Sequence, residues 1–273
     1  MNLLKSLVGR YPLLNIVVTA PTELMRREYS AAGLETLYFN QNALVDLEAF
    51  TVKDLPKWYD AVYTARLARF KRFELARDVA SLALICESSD DVLATPYGRR
   101  VRGWLSHADW VADSRDGPHV IAPMEVGAIL NRARVGLALS AEEGPMYSSI
   151  EYLLCGLPVV TTPNRGGRNE FLGPAVSLTV EANPSAVRIA VQRAIGAEID
   201  PYMVRAVTLD AIVEHRSRLI DSVQAVFDLS GAGRDFAAEW DDVYIPKLFP
   251  TAAIGAKAVD AHNKGILEQL PGP

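Results

Sequence analysis

The strongest constraint on the fold is an alternation of short apolar runs with amphipathic stretches between about residue 60 and residue 197. The predicted strands are 61–65, 82–86, 119–122, 135–140 and 157–162, and the predicted helices are 73–80, 91–105, 123–133, 146–155 and 184–197. Continuous apolar strands separated by helices are typical of a parallel sheet covered on both faces. The pattern therefore predicts an α/β fold with a Rossmann-like, doubly wound parallel sheet. Ligands of such sheets bind beyond the carboxyl ends of the strands.

The two ends of the chain depart from this alternation. Residues 1–50 hold one strand-like run (13–20) and one helix-like stretch, which is too little for a second full lobe. A long amphipathic helix is predicted over 204–228, a shorter one over 236–250, and a loosely held tail after it. We therefore divide the chain into residues 1–55, 56–203 and 204–273.

Composition excludes several classes of partner. The chain has 28 Lys and Arg against 33 Asp and Glu, a net charge of −5, so no nucleic acid partner is expected. Cys86 and Cys155 lie in apolar runs and are predicted to be buried thiols of a reducing compartment. The four histidines lack metal-ligand spacing, and no stretch has the length of a membrane span. Because the N-terminus also lacks a cleavage-site pattern, a cytoplasmic location is predicted.

The most informative stretch is 137–171, which runs strand, acidic loop, helix, strand and Gly-Gly loop. Glu143 lies in the loop at a strand's carboxyl end, and Glu151 lies eight residues later, in the second turn of the helix. Both carboxylates can face one cleft, where they would accept hydrogen bonds from sugar hydroxyls, while the helix N-terminus suits phosphate. Alternatively, Glu143 only complements the helix N-terminus and Glu151 is a solvated helix residue.

These residues resemble the signature of the C-terminal lobe of retaining GT-B glycosyltransferases of the group 1, family 4-like type. The matching elements are Glu143, seven residues, Glu151, then CGLPVV (155–160) and the Gly-Gly-x-x-Glu loop (166–170). Upstream, YTARLARFK is similar to the family's Gly-Arg-Leu strand end with a Lys five residues after the Arg. Here those two cations are Arg66 and Lys71. The alternative for them is a solvated basic turn.

The resemblance implies a role for each residue. Arg66 and Lys71 would bind the diphosphate of the donor, in place of a metal ion, and would stabilise its growing negative charge as the glycosidic bond breaks. Glu143 would contact the donor sugar, and Glu151 the ribose hydroxyls. The rest of the donor site would comprise Gly144, Met146, Tyr147, Ser148, Gly166 and Gly167. No cofactor is expected, since the nucleoside-diphosphate sugar is a substrate.

Several positions differ from the family pattern. The family's Glu-Gly-Phe-Gly loop is replaced here by residues 143–146, Glu-Gly-Pro-Met, so the sugar is not identified. Arg165 and Arg168 either contact phosphate or belong to a solvated loop, and Arg69 and Arg72 are expected at the surface. The base is expected near strand 119–122, with Met124 and Glu125 as candidates and His119 as a packed strand residue.

The resemblance also implies that most of the acceptor-binding lobe is missing. Residues 1–55 resemble only its last strand and the crossing between lobes, with NQNALVD (40–46) in place of an Asn-Gly-Val-Asp-like turn. The C-terminal helices resemble the segment that packs back on that lobe, so exposed apolar surface should recruit a partner chain or a second copy. Two hypotheses stay open. The chain is a hexosyltransferase acting on an unknown acceptor (saccharide, lipid or other), or it is a nucleotide-sugar-binding module that needs a partner. A nucleotide-sugar epimerase fits the motifs less well.

Overall fold

The computed structural model describes residues 2–11, 15–86, 93–111 and 121–244. Its strands are β1 (Val18–Ala20), β2 (Thr36–Tyr38), β3 (Tyr59–Thr64), β4 (Leu82–Ile85), β5 (Asp109–Trp110), β6 (Ala133–Ala138), β7 (Val159–Thr161) and β8 (Ser177–Thr179). Its α-helices are α1 (Asn2–Arg10), α2 (Glu23–Ala31), α3 (Pro96–Trp104), α4 (Pro123–Leu130), α5 (Tyr147–Leu154), α6 (Pro184–Gly196), α7 (Pro201–Ser230) and α8 (Phe236–Val243). None of these helices is both long and apolar enough to cross a membrane.

The strands form two parallel sheets. β1 and β2 pair with each other, and the other six strands lie in the order β5-β4-β3-β6-β7-β8. The chain moves outward from β3 to β5, returns to β6 beside β3, and moves outward again to β8. This is the predicted doubly wound parallel sheet. The reversal between β3 and β6 is its topological switch point, where ligands of such sheets bind.

Both faces of the large sheet are buried, which explains why its strands are continuous apolar runs. In β3, Val62 belongs to the core on one face and Tyr63 to the core on the other. Helix α5 approaches the sheet closely at Gly136, where an added Cβ would lie 2.4 Å from ring atoms of Tyr152. The helix that follows the site-bearing loop of β6 is therefore held firmly against the sheet.

The long helix α7 begins with Pro201 after its N-cap Asp200 and ends at Gly231, whose φ of +66° is left-handed. Its first half buries a stripe of side chains spaced three or four residues apart: Val204, Thr208, Ile212 and His215. Its second half leaves Val226 and Leu229 exposed. The first half packs on α5 and on residues 41–44, although Val207 and Val213 on its other side are exposed. A surface that recruits a partner stays a prediction.

One predicted helix is wrong, and one predicted strand is not found over the half of it that the structure describes. Residues 73–80 form a 3₁₀ turn over Phe73–Ala76 instead of an α-helix. The segment is short, it lacks a side-chain N-cap, and it follows Arg72 with a left-handed φ of +53°. Ile121 and Ala122 are coil leading into α4, while His119 lies outside the described residues. The strand beside β4 is β5, whose two residues are too few to show any periodicity.

Helix α1 and strands β2 and β8 were not predicted, and other differences concern boundaries. The helix predicted over 91–105 begins at Pro96, and the one predicted over 236–250 ends at Val243. The rest of that second prediction and the tail lie outside the described residues. Glu125 caps α4 by accepting the Ala122 N–H at 3.0 Å, and Met124 is largely exposed. A base-binding role for either residue stays a prediction.

Candidate functional site

Three loops at the carboxyl edge of the sheet form one surface. They follow β3 (residues 65–72), β6 (139–146) and β7 (162–169). The last two are joined by backbone hydrogen bonds, from Glu143 N to Arg165 O at 2.9 Å and from Arg165 N to Ala141 O at 3.0 Å. Because β3 and β6 flank the switch point, this surface lies where a ligand of this fold is expected.

Two of the predicted catalytic side chains meet at the switch point. Lys71 Nζ donates a hydrogen bond to Glu143 Oε1 and forms an ion pair with it. The other carboxylate oxygen of Glu143 accepts from Ser140 Oγ at 2.5 Å. The side chains of Lys71 and Glu143 are only 7% and 16% exposed. The structure therefore contradicts a solvated basic turn for Lys71, whose charge is held at one place by a partner 72 residues away.

Arg66, the third predicted catalytic residue, lies exposed on the same loop as Lys71. Its guanidinium carbon is 5.5 Å from the centroid of the Phe70 ring, and Lys71 Nζ is 5.4 Å from the same centroid. Both distances are in the range of cation–π attraction. A single aromatic ring thus contacts both cations that the sequence assigned to the diphosphate.

Glu151 is buried in α5, so it is not a solvated helix residue. It lies one turn after Ser148, whose hydroxyl donates to Thr64 O at 3.2 Å at the carboxyl end of β3. No described residue hydrogen-bonds the Glu151 carboxyl. Burial alone raises its pKa from 4.5 to about 8. The group is therefore neutral near pH 7 and carries an O–H donor, instead of being the ionised acceptor predicted from the sequence.

This raised pKa predicts a pH-dependent stability. Between pH 4.5 and about 8 the folded chain keeps a proton on Glu151 that the unfolded chain has lost, so stability falls as pH rises through this interval. At 1.36 kcal/mol per pKa unit, the loss is on the order of 4–5 kcal/mol. Urea unfolding at several pH values should show this slope in the wild type and a flatter one in Glu151→Gln. The control Glu142→Gln, which changes an exposed carboxylate of the adjacent loop, should keep the wild-type slope. Parallel plots of unfolding free energy against pH for the wild type and Glu151→Gln would contradict the raised pKa of Glu151.

The three predicted donor-site glycines occupy different environments. A Cβ on Gly144 would meet nothing within 4 Å, so this position borders open space. Gly166 has a φ of +119°, and a Cβ there would lie 2.1 Å from Glu143 O. A Cβ on Gly167 would lie 2.7 Å from Pro21 Cβ. Gly166 and Gly167 thus allow the Gly-Gly loop to pack against the Glu143 loop and the N-terminal segment.

The other predicted donor-site residues, Met146, Tyr147 and Ser148, begin α5. Met146 and Ser148 are buried, and Tyr147 OH donates to Gln41 O at 2.8 Å. Their side chains therefore contact protein. What this segment offers a ligand is the set of backbone N–H groups at the helix N-terminus, which lack intrahelical acceptors.

Arg168 is a structural residue that both sequence interpretations missed. It is completely buried and donates to Ser140 Oγ at 3.0 Å, to Thr161 Oγ1 at 2.7 Å and to the carbonyl oxygens of Ser140 and Thr162. Burial lowers its pKa to about 10, while the nearby Glu143 carboxylate acts in the opposite direction. Arg168 is neither solvated nor available to phosphate; it joins the loops that follow β6 and β7.

Arg72 is also misassigned as a surface residue. It donates to Leu139 O and to Thr162 Oγ1, both at 2.6 Å, so it too joins the β6 and β7 loops. Arg165, by contrast, is exposed. Among the described residues, no three His, Cys, Asp or Glu side chains are grouped to hold a metal ion, and metal independence stays a prediction.

The parallel sheet with flanking helices matches the fold of solved GT-B glycosyltransferases. The chain is similar to sucrose-phosphate synthase from Thermosynechococcus elongatus, with 20% identity and a TM-score of 0.57 over 80% of this chain and 58% of that one. It is similar to HepE from Anabaena in complex with UDP and glucose, with 14% identity and a TM-score of 0.59 over 81% of this chain and 66% of that one. It is also similar to a glycosyltransferase from Rickettsia africae, with 11% identity and a TM-score of 0.57 over 82% of this chain and 66% of that one. No family model and no curated protein matches the chain.

Proposed function

We propose that this chain is the donor-binding lobe of a retaining, metal-independent glycosyltransferase that transfers a hexose from a nucleoside-diphosphate sugar. The observation that carries the proposal is the Lys71–Glu143 ion pair at the switch point, with Arg66 on the same loop. In this proposal residues 56–203 are the lobe, residues 1–55 correspond to the end of an acceptor lobe and the crossing from it, and residues 204–273 are the C-terminal segment with helices α7 and α8. The UDP and glucose present in the HepE complex support a nucleoside-diphosphate donor.

The ion pair suggests how the site works. In the ligand-free chain Glu143 neutralises Lys71, which offsets part of the desolvation cost of the two nearly buried charges. A bound diphosphate competes for Lys71 Nζ, and Glu143 is then free to accept from the sugar hydroxyls beside it. As the leaving diphosphate gains charge, the nearly buried ammonium stabilises it more strongly than a solvated one would. Arg66, which is exposed and close to Phe70, contributes a second cation to the same diphosphate.

Calorimetric titration with UDP, GDP and ADP tests this proposal directly. We expect saturable binding of one of them, unaffected by a chelator and weakened about tenfold in Arg66→Ala by loss of one charge-assisted contact. Arg69→Ala is the matched control, since Arg69 is an exposed arginine of the same loop that stacks on Tyr97 instead. The proposal is wrong if none of the three nucleotides binds, or if both arginine variants weaken binding equally.

A nucleotide-sugar-binding module that needs a partner is the second candidate. The chain spans 58% to 66% of the three glycosyltransferases compared, and α7 leaves Val226 and Leu229 uncovered. Such a module would bind the nucleotide with the same residue dependence but would not turn over a sugar nucleotide alone. This candidate would be favoured if the chain alone binds the nucleotide without turning over a sugar nucleotide, and if turnover appears when a second chain is added.

A further inference from the structure

Two fully buried asparagines lie behind the proposed donor site, in the segment Asn40–Val45. Asn40 Nδ2 donates to Gly167 O at 3.1 Å, which holds the Gly-Gly loop. Asn42 Nδ2 donates to Met146 O at 2.9 Å, which holds the first residue before α5. Asn40 Oδ1 accepts the Asn42 N–H at 3.0 Å, so the two asparagines are themselves fixed to each other. One short segment thus contacts both loops that border Glu143.

These contacts determine the direction of backbone N–H groups. In a trans peptide the carbonyl and the following N–H point in opposite directions. Holding Met146 O toward Asn42 therefore aims the Tyr147 N–H away from it, and Ser149 Oγ and N donate to the same carbonyl oxygen. Holding Gly167 O toward Asn40 likewise fixes the Arg168 N–H, which is buried inside the protein. The Tyr147 N–H belongs to the N-terminus of α5, where a helix offers free donors to an anion.

The stability of the fold does not explain why residue 42 is an asparagine. Met146 O already accepts from Ser149 Oγ at 2.7 Å and from Ser149 N at 3.2 Å, so it stays paired without Asn42. Asn42 Oδ1 is buried, and no described residue donates to it. A buried unpaired acceptor is destabilising. A leucine has the same number and branching of side-chain heavy atoms and would remove this unfavourable group.

The segment is in turn held from behind by helix α7. Asn40 N donates to His215 Nδ1 at 3.3 Å, and Arg216 Nε donates to Ala43 O at 2.7 Å. Two consecutive residues of α7 therefore fix the backbone that carries the asparagines. Helix α7 is therefore connected to both loops by hydrogen bonds that run through the segment Asn40–Val45.

We propose that Asn42 and Asn40 are positioning residues of the donor-diphosphate site: Asn42 orients the backbone donors that begin α5, and Asn40 fixes Asn42 and the Gly-Gly loop beside it. This inference rests on the proposed function. Neither side chain touches the ligand; Asn42 sets the direction of the peptide plane that begins α5, and Asn40 holds Asn42 and the Gly-Gly loop in place. Nucleotide affinity should then depend on these side chains more than stability does.

The decisive variant is Asn42→Leu. It is compared with Asn40→Asp, which keeps an acceptor for the Asn42 N–H but loses the donor to both Gly167 O and Pro21 O. The matched control is Asn131→Ala. Asn131 is also fully buried and donates from Nδ2 to Thr51 O at 2.9 Å and to Gly127 O at 2.8 Å. It lies between α4 and β6, at the opposite edge of the sheet from the site.

For Asn42→Leu we expect an unfolding midpoint close to that of the wild type and a Kd for UDP (or for GDP or ADP, whichever the wild type binds) raised about tenfold. Asn131→Ala should unfold at a lower temperature with an unchanged Kd. Amide exchange of the ligand-free chain should be faster over residues 141–147 in Asn42→Leu and over 165–169 in Asn40→Asp, and unchanged there in Asn131→Ala.

The outcomes separate the two proposals. Unchanged affinity and unchanged loop exchange in both site variants would overturn the positioning role and leave the nucleotide site standing. Equal losses of affinity in Asn42→Leu and Asn131→Ala would also overturn it, since the effect would then be one of general stability. If the wild type binds no nucleotide, the proposed function fails, and faster exchange confined to the two loops would still support control of their backbones by these asparagines.

Discussion

Lys71→Ala is expected to weaken the binding of the nucleoside diphosphate about 100-fold, with no change for the unphosphorylated nucleoside. Lys71 is nearly buried, so its charge is poorly screened and acts strongly on a phosphate oxygen placed beside it. The variant also leaves the Glu143 carboxylate without its cation, and this carboxylate then repels the diphosphate. Calorimetric titration with the nucleoside and the diphosphate separates these charge effects from contacts to the base.

The double variant Lys71→Ala with Glu143→Gln tests why Lys71→Ala loses affinity for the nucleoside diphosphate. If repulsion by an unpaired Glu143 contributes, the double variant should bind the diphosphate more tightly than Lys71→Ala alone, because residues in direct contact are not additive. Circular dichroism checks that both variants are folded. Equal weakening for nucleoside and diphosphate would contradict the role of Lys71 as a diphosphate ligand.

Arg168→Leu is expected to destabilise the chain by about 3–5 kcal/mol. The substitution leaves the carbonyl oxygens of Ser140 and Thr162 buried without the guanidinium that now pairs them. It also removes a positive charge near Glu143. Urea unfolding monitored by circular dichroism measures the change in the free energy of unfolding.

Arg165→Leu is the matched control for Arg168→Leu. It stands three residues earlier in the same loop, its side chain is 89% exposed, and its ion pair with Glu142 is long, at 3.8 Å. An exposed ion pair of this kind contributes little to the free energy of unfolding, so Arg165→Leu should change it by no more than about 0.5 kcal/mol. An Arg168→Leu chain as stable as Arg165→Leu would show that the buried network is replaceable by apolar packing.

Much of the fold could be predicted because its strands are local apolar runs. The strands β3, β4, β6 and β7 and the helices α4, α5 and α6 were predicted with shifted ends. The helix predicted over 73–80 failed because a left-handed Arg72 and tight packing favour a 3₁₀ turn there. β5 was missed since a two-residue strand is defined by its pairing with β4 and carries no pattern of its own.

The candidate site was predicted in part. The spacing of Glu143 and Glu151, together with Arg66 and Lys71, indicated which loops carry the charged groups. The buried roles of Asn40, Asn42 and Arg168 were not predicted, because asparagine and arginine in loops are usually solvated. The sequence offered one indication of the asparagines' role, which is that NQNALVD (40–46) stands where the family has a turn. This position does not show which carbonyl oxygens the side-chain amides of Asn40 and Asn42 bind.

The sequence by itself determined the alternation of strands and helices, and with it the edge of the sheet on which the site lies. Parallel connections place every strand-to-helix loop at the carboxyl edge, so Lys71 and Glu143 had to lie on the same side of the sheet. Only the tertiary structure decided which charged groups pair and which are buried. Desolvation of Glu151 and the pairing of Lys71 with Glu143 depend on distances between residues far apart in the chain, and local patterns of polarity contain no information about those distances.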